Sequence, residues 1–131
     1  TPFSAEARMI EPISQESCIF FEDHALWEDD EVQVQSVEAG RRIAAAMGRN
    51  RAIILRNHGL LTGGDSVAEA VGRFVYMERV AEVHMKARNP KSISAESARF
   101  AKEDLIKFGV GRSAFTSMLT RHIPNPEIVN Q

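Results

Sequence analysis

Cysteine is almost absent: Cys18 is the only one in 131 residues, so no disulfide framework holds this chain together. It lies in the apolar run Cys18-Ile19-Phe20-Phe21, which makes it a buried, inert thiol rather than a nucleophile. Such usage is compatible with a reducing cytoplasm. Long apolar runs are missing too. None approaches the roughly 18 residues that span a bilayer, and the start Thr1-Pro2-Phe3 lacks the regions of a signal peptide, so the expectation is a soluble, untargeted protein without membrane contact. Nor is there an excess of charge of one sign. Sixteen Lys and Arg against 18 Asp and Glu leave a net −2, which argues against a general nucleic-acid binder. The local cluster Arg41, Arg42, Arg49 and Arg51 reads as the solvated face of a helix and its exit. Internal repeats and low-complexity segments are absent.

What the chain does have is 44% hydrophobic residues, enough for the core of one domain. The most informative stretch is Ala52-Ile53-Ile54-Leu55, a buried strand that ends abruptly in Arg56-Asn57-His58-Gly59. A strand of this kind delivers its last polar side chains to the sheet edge. Held there, the His58 imidazole is a good metal ligand or acid/base group, although on the residues alone a histidine that merely hydrogen-bonds at a strand end is the favoured reading. Asn57 and Gly59 read as structural, Asn57 by bonding the loop backbone and Gly59 by relieving φ strain.

Residues 1–17, with Pro2 and Pro12, show no sustained period and are expected to be extended or looping. Cys18 to Glu22 reads as a buried strand, and Val32 and Val34, alternating with polar neighbours, as a half-exposed one. Between them Glu22 to Asp30 forms an acidic loop that contains His24. Its carboxylates lack the regular spacing of a calcium loop, so a solvated loop is the expectation. Ser36 caps a helix through Met47 that stops at Gly48. Ser66-Val67-Ala68-Glu69 is a capping box that opens the longest helix, which Asn89-Pro90 terminates. Val67, Ala70, Val71, Phe74, Met77, Ala81 and Met85 form its apolar stripe. Glu78 falls in the middle of that stripe and would need a buried partner such as an arginine. His84 falls beside the stripe, where a partly buried packing histidine is the default. Two more helices are expected around Ala95–Lys107 and Gly111–Arg121. Gly63-Gly64 lacks the lysine and spacing of a phosphate loop.

The segment Ile53 to Thr62, followed by Gly64, Ser66, Glu69 and Ala70 at the start of a long helix, resembles the class II aldolase/adducin family. So do Glu11-Pro12-Ile13-Ser14-Gln15 and the run Cys18-Ile19-Phe20-Phe21, which extends the resemblance over residues 1–88 and leaves 89–131 as a C-terminal helical extension. The resemblance implies a three-layer α/β/α domain with a mostly antiparallel sheet, present here in part. It also implies a divalent metal, commonly zinc, held between a His-x-His pair and the histidine of an Asn-His-Gly motif. His58 matches that last ligand, whereas no His-x-His occurs in this chain. The remaining histidines, His24, His84 and His122, have no ligand spacing to His58. The proton-transferring carboxylate of such enzymes is expected to be missing as well, which leaves the catalytic and substrate-binding residues unassigned. The resemblance therefore implies the C-terminal half of a metal-dependent lyase that cleaves a carbon–carbon bond in a hydroxy-carbonyl sugar, with or without a phosphate group, inactive by itself and homo-oligomeric. A non-catalytic, adducin-like interaction module is the alternative from another functional class.

Overall fold

A computed structural model describes residues 2–31, 33–125 and 127–128. Its centre is the strand β2 (Ala52–Leu55), which pairs in parallel with β1 (His24–Trp27) and antiparallel with β3 (Gly59–Thr62). All four β2 residues are buried. Because successive side chains on a strand point to opposite faces, this unbroken apolar run needs cover on both sides. Ile53 and Leu55 join Trp27 and Ile43, with Val34 and Met47 against them, in one cluster. Ala52 and Ile54 join Phe3, Ile10, Ile19, Phe20, Met77, Val80 and Ala81 in the other. Helix α2 (Val37–Met47) covers the first face, and α3 (Val67–Lys86) with the short α1 (Pro2–Ala5) covers the second, which gives the expected α/β/α layering. The sheet is mixed rather than mostly antiparallel, with one ladder of each kind.

The expected caps form. Ser36 accepts the Ala39 N–H at 3.0 Å, and the chain leaves α2 through Gly48 at φ 57°. Ser66 accepts the Glu69 N–H at 3.2 Å, while the Glu69 carboxylate accepts from Asp65 at 2.9 Å, one residue outside the standard capping box. Helices α4 (Ala95–Lys107) and α5 (Val110–His122) follow, α4 lying on the segment Glu16–Phe20 and α5 on α3.

Four local readings of the sequence are corrected. Cys18–Glu22 is not a strand: Glu16–Phe20 is a 3-10 helix, started by reciprocal bonds in which the Ser14 N–H donates to the Ser17 hydroxyl and the Ser17 N–H to that of Ser14. Four apolar residues in a row specify burial, which Cys18, Ile19 and Phe20 do attain, but not a period. The strand instead lies in the supposed acidic loop, as β1. Its burial pattern is carried by His24 and Trp27, and its parallel pairing to β2, not its own alternation, makes it a strand. No strand forms around Val34, which packs under α2, and Val32 lies outside the described residues.

The fourth correction concerns α3. Its buried residues are Gly72, Arg73, Met77, Val80, Ala81 and His84, while Val67, Phe74 and Met85 are exposed. The buried face is thus rotated away from the predicted stripe, and Glu78 is only half-buried with no partner among the described residues. The buried charge is Arg73. Its guanidinium donates to the Gly63 carbonyl at 3.0 Å and lies 3.6 Å from Glu69, and burial lowers its pKa from the ordinary value while Glu69 opposes that shift.

The rotation is imposed by α5. A Cβ on Gly72 would stand 1.7 Å from the Gly111 carbonyl oxygen, so the two helix backbones meet there with no room for a methyl group. Elsewhere in a helix, replacing Gly by Ala gains roughly 1 kcal/mol of propensity. Here Gly72→Ala is expected instead to destabilise by about 3 kcal/mol, the upper end for overpacking. Urea unfolding reads the sign directly, and a stabilised variant would mean that α5 does not pack on α3 as described.

Candidate functional site

The chain leaves the buried β2 and must reverse into β3 within three residues, Arg56, Asn57 and His58. The His58 N–H closes the turn on the Leu55 carbonyl at 3.0 Å, and Asn57 takes the left-handed conformation at φ 58°. A positive φ at the third residue of a hydrogen-bonded turn is the type II pattern, which tolerates Asn because its short polar side chain accepts that region. The positive φ falls on Asn57 and not on Gly59, which is the first residue of β3. Two outside bonds fix the turn: the Arg56 N–H donates to the Trp27 carbonyl at 2.9 Å and the Asn57 N–H to that of Ser4 at 3.1 Å. The Arg56 side chain pairs with Asp30. His58 itself is exposed. A rigid hairpin thus presents a free imidazole outward from a strand end.

The other histidines do not join it. His24 is buried, its Nδ1 2.6 Å from the Phe20 carbonyl and its Nε2 accepting the Ile10 N–H at 2.9 Å. Burial, the largest effect, pushes its pKa below the ordinary value, against the Phe20 bond and Asp23. His84 is buried in the same way, its Nδ1 2.8 Å from the Val80 carbonyl and its Nε2 accepting from Glu11 at 2.9 Å. His122 is an exposed residue at the end of α5. No group of three His, Cys, Asp or Glu among the described residues could hold a metal ion. Cys18 is fully buried, and burial raises its pKa, so the inert reading stands. Several of the acidic residues around His24 are held in ion pairs, Glu22 with Arg99, and Asp29 and Glu31 with Arg42.

Among known proteins, the sequence model of the "Class II Aldolase and Adducin N-terminal domain" matches residues 1–85. The chain belongs to this family. It is 38% identical over 106 residues to the decarboxylase NovR of Streptomyces niveus, covering 79% of this chain and 39% of that protein. It is 37% identical over 106 residues to a 4-hydroxy-3-prenylphenylpyruvate oxygenase/4-hydroxy-3-prenylbenzoate synthase of Streptomyces roseochromogenus subsp. oscitans, covering 79% of this chain and 38% of that one. In structure it is similar to L-fuculose 1-phosphate aldolase from Glaciozyma antarctica PI12, with a TM-score of 0.76 and 30% identity over 88% of this chain and 44% of the other. An aldolase II superfamily protein from Pseudomonas syringae gives a TM-score of 0.71 and 28% identity, over 92% of this chain and 52% of that one. The chain therefore spans about two fifths to one half of the length of these relatives.

A single exposed imidazole fits one position in a metal's coordination sphere but leaves the others to water. The 131-residue chain is accordingly expected to bind zinc weakly, above the micromolar range, in a titration against a zinc indicator. Stoichiometric sub-micromolar binding that disappears in His58→Ala would show a ligand set that the described residues do not contain.

Proposed function

We propose that this chain is the His58-bearing part of a metal-dependent lyase domain, acting on a hydroxy-carbonyl small molecule, with or without a phosphate group. The observation that carries the reading is the contrast between His58 and the two buried histidines. His24 and His84 spend both ring nitrogens on backbone groups, whereas His58 stands exposed on a turn fixed by three backbone bonds. An imidazole so placed is preorganised for a ligand at little entropic cost. Family membership supports metal dependence in general, with zinc the metal proposed here. The remaining ligands and the acid/base group would be supplied by sequence present in the relatives and outside these 131 residues, as would cover for the sheet's edge strands β1 and β3.

Apolar residues open to solvent, among them Phe100, Phe108, Phe74 and Leu61, favour a homo-oligomer in the assembled protein. The relatives named decarboxylase and oxygenase/synthase leave decarboxylation beside aldol cleavage as a reaction for this scaffold. The adducin-like interaction module is the competing reading, and it gives the exposed His58 no task.

The test is to express the chain with the coding sequence that adjoins it upstream and to measure bound metal by elemental analysis. The proposal expects about one divalent metal per chain and a fall of at least tenfold in metal affinity in His58→Ala, the scale seen when ligand shells are disturbed. Full occupancy in that variant would remove His58 from the ligand set and overturn the proposal, and no metal in the unaltered protein would favour the interaction module.

A further inference from the structure

His24 and His84 come from opposite sides of one core, β1 and α3, and perform the same task. Each ring's Nε2 accepts a backbone N–H from the N-terminal segment, Ile10 to His24 and Glu11 to His84, at 2.9 Å in both cases. An amide N–H can only donate, so each Nε2 must carry a lone pair and each ring proton must lie on Nδ1. Both Nδ1 atoms do face an acceptor. It is the carbonyl four residues earlier in the chain, Phe20 at 2.6 Å for His24 and Val80 at 2.8 Å for His84. The tautomer of both rings is thereby determined by the bonds around it, and two adjacent amides hang on two neutral imidazoles.

We propose that His24 and His84 form an acid-released clamp on the segment Met9–Glu11, which is held while both rings are neutral and freed when either Nε2 is protonated. Protonation sets a ring N–H against an amide N–H, which converts a bond into a repulsion inside a buried site. The ionisable groups around the pair are few and mixed in sign. Asp23 precedes His24 and lies 3.7 Å from Lys102 of α4, so their effects on the ring oppose each other. On the segment side, Arg8 donates to the His84 carbonyl at 3.0 Å and pairs with Glu6, and the Ser92 hydroxyl reaches Glu11 at 3.4 Å. On α3, Lys86 and Glu82 are exposed and paired with each other, and the Phe3 ring meets His84 edge-on at 5.3 Å. None of these places a lone carboxylate against either ring to hold an imidazolium. Burial decides for His24, whose folded-state pKa is lowered. Its contribution to stability is therefore complete above the unfolded value of about 6.5 and is lost as pH falls through the lower folded value. The same N-terminal stretch of chain supplies, from α1, the Ser4 carbonyl that holds the Asn57 N–H.

Amide hydrogen exchange on the 131-residue chain, corrected for intrinsic rates, tests the clamp. Between pH 7.5 and pH 5.5 the protection of the Ile10 and Glu11 amides is expected to fall several-fold, with about tenfold the ceiling for release of one ring whose free value is about 6.5, while that of Ile53 and Ile54 stays unchanged. Unchanged protection at Ile10 and Glu11 overturns the proposal, and so does an equal loss at Ile53 and Ile54, which reports unfolding of the whole molecule. In a variant carrying both His24→Gln and His84→Gln, whose side-chain carbonyls accept at every pH, the Ile10 and Glu11 amides should lose their pH dependence. A reading that requires no variant is the nitrogen chemical shift of the imidazoles at pH 7.5: protonated Nδ1 and bare Nε2 in both rings are expected, and a protonated Nε2 in either overturns the clamp.

Discussion

Everything in this molecule is arranged around the double burial of four residues, Ala52 to Leu55. Truncating one such isoleucine to alanine typically costs about 2–5 kcal/mol, so the strand commits the chain to covering both faces before any other preference is met. Helix α2 supplies Ile43 and Met47 to one side, and α3, with the N-terminal segment and the 3-10 helix, supplies Met77, Val80, Phe3, Ile10 and Phe20 to the other. The hairpin turn is a consequence. A strand that is apolar to its last residue has to turn at once when it leaves the core, and the first polar residues it meets, Arg56, Asn57 and His58, become that turn.

Inside the core the polar groups obey a single requirement, that each finds a partner. His24 and His84 do so as neutral rings between backbone donors and acceptors, and Arg73 does so with the Gly63 carbonyl and Glu69. This division of labour separates the four histidines by chemistry rather than by sequence position. Two are fasteners, His122 is an exposed residue at a helix end, and only His58 is both exposed and fixed by a turn. Pairing at the surface is dense, with Arg42, Arg51 and Arg99 each tied to carboxylates, the first two belonging to the arginine cluster of the sequence.

Where local chemistry dictates structure, the sequence was legible. The caps at Ser36 and Ser66, the stop at Gly48, strand β2 and helices α4 and α5 all rest on signals within a few residues. Where tertiary pairing decides, it was not. Strand β1 follows from the parallel partner β2, and an acidic flank hid it. The face of α3 is set by the contact of Gly72 with Gly111, nearly forty residues away, so periodicity alone put Glu78 in the buried stripe and gave no sign of Arg73, whereas Arg73 is buried and Glu78 only half-buried. The clamping histidines carried no local signal at all, since their acceptor role depends on amides 14 and 73 residues distant. His58 was legible because the strand end and the motif around it lie together in the chain.

The fold presents His58 without using it. Urea unfolding of His58→Ala against the unaltered chain tests this most directly, because an exposed side chain outside the core should change the unfolding free energy by no more than about 0.5 kcal/mol. Coincident midpoints and slopes are expected. A loss of about 2 kcal/mol or more, the scale of a core truncation, would contradict it by showing that the imidazole belongs to the packing and is not held free for a ligand.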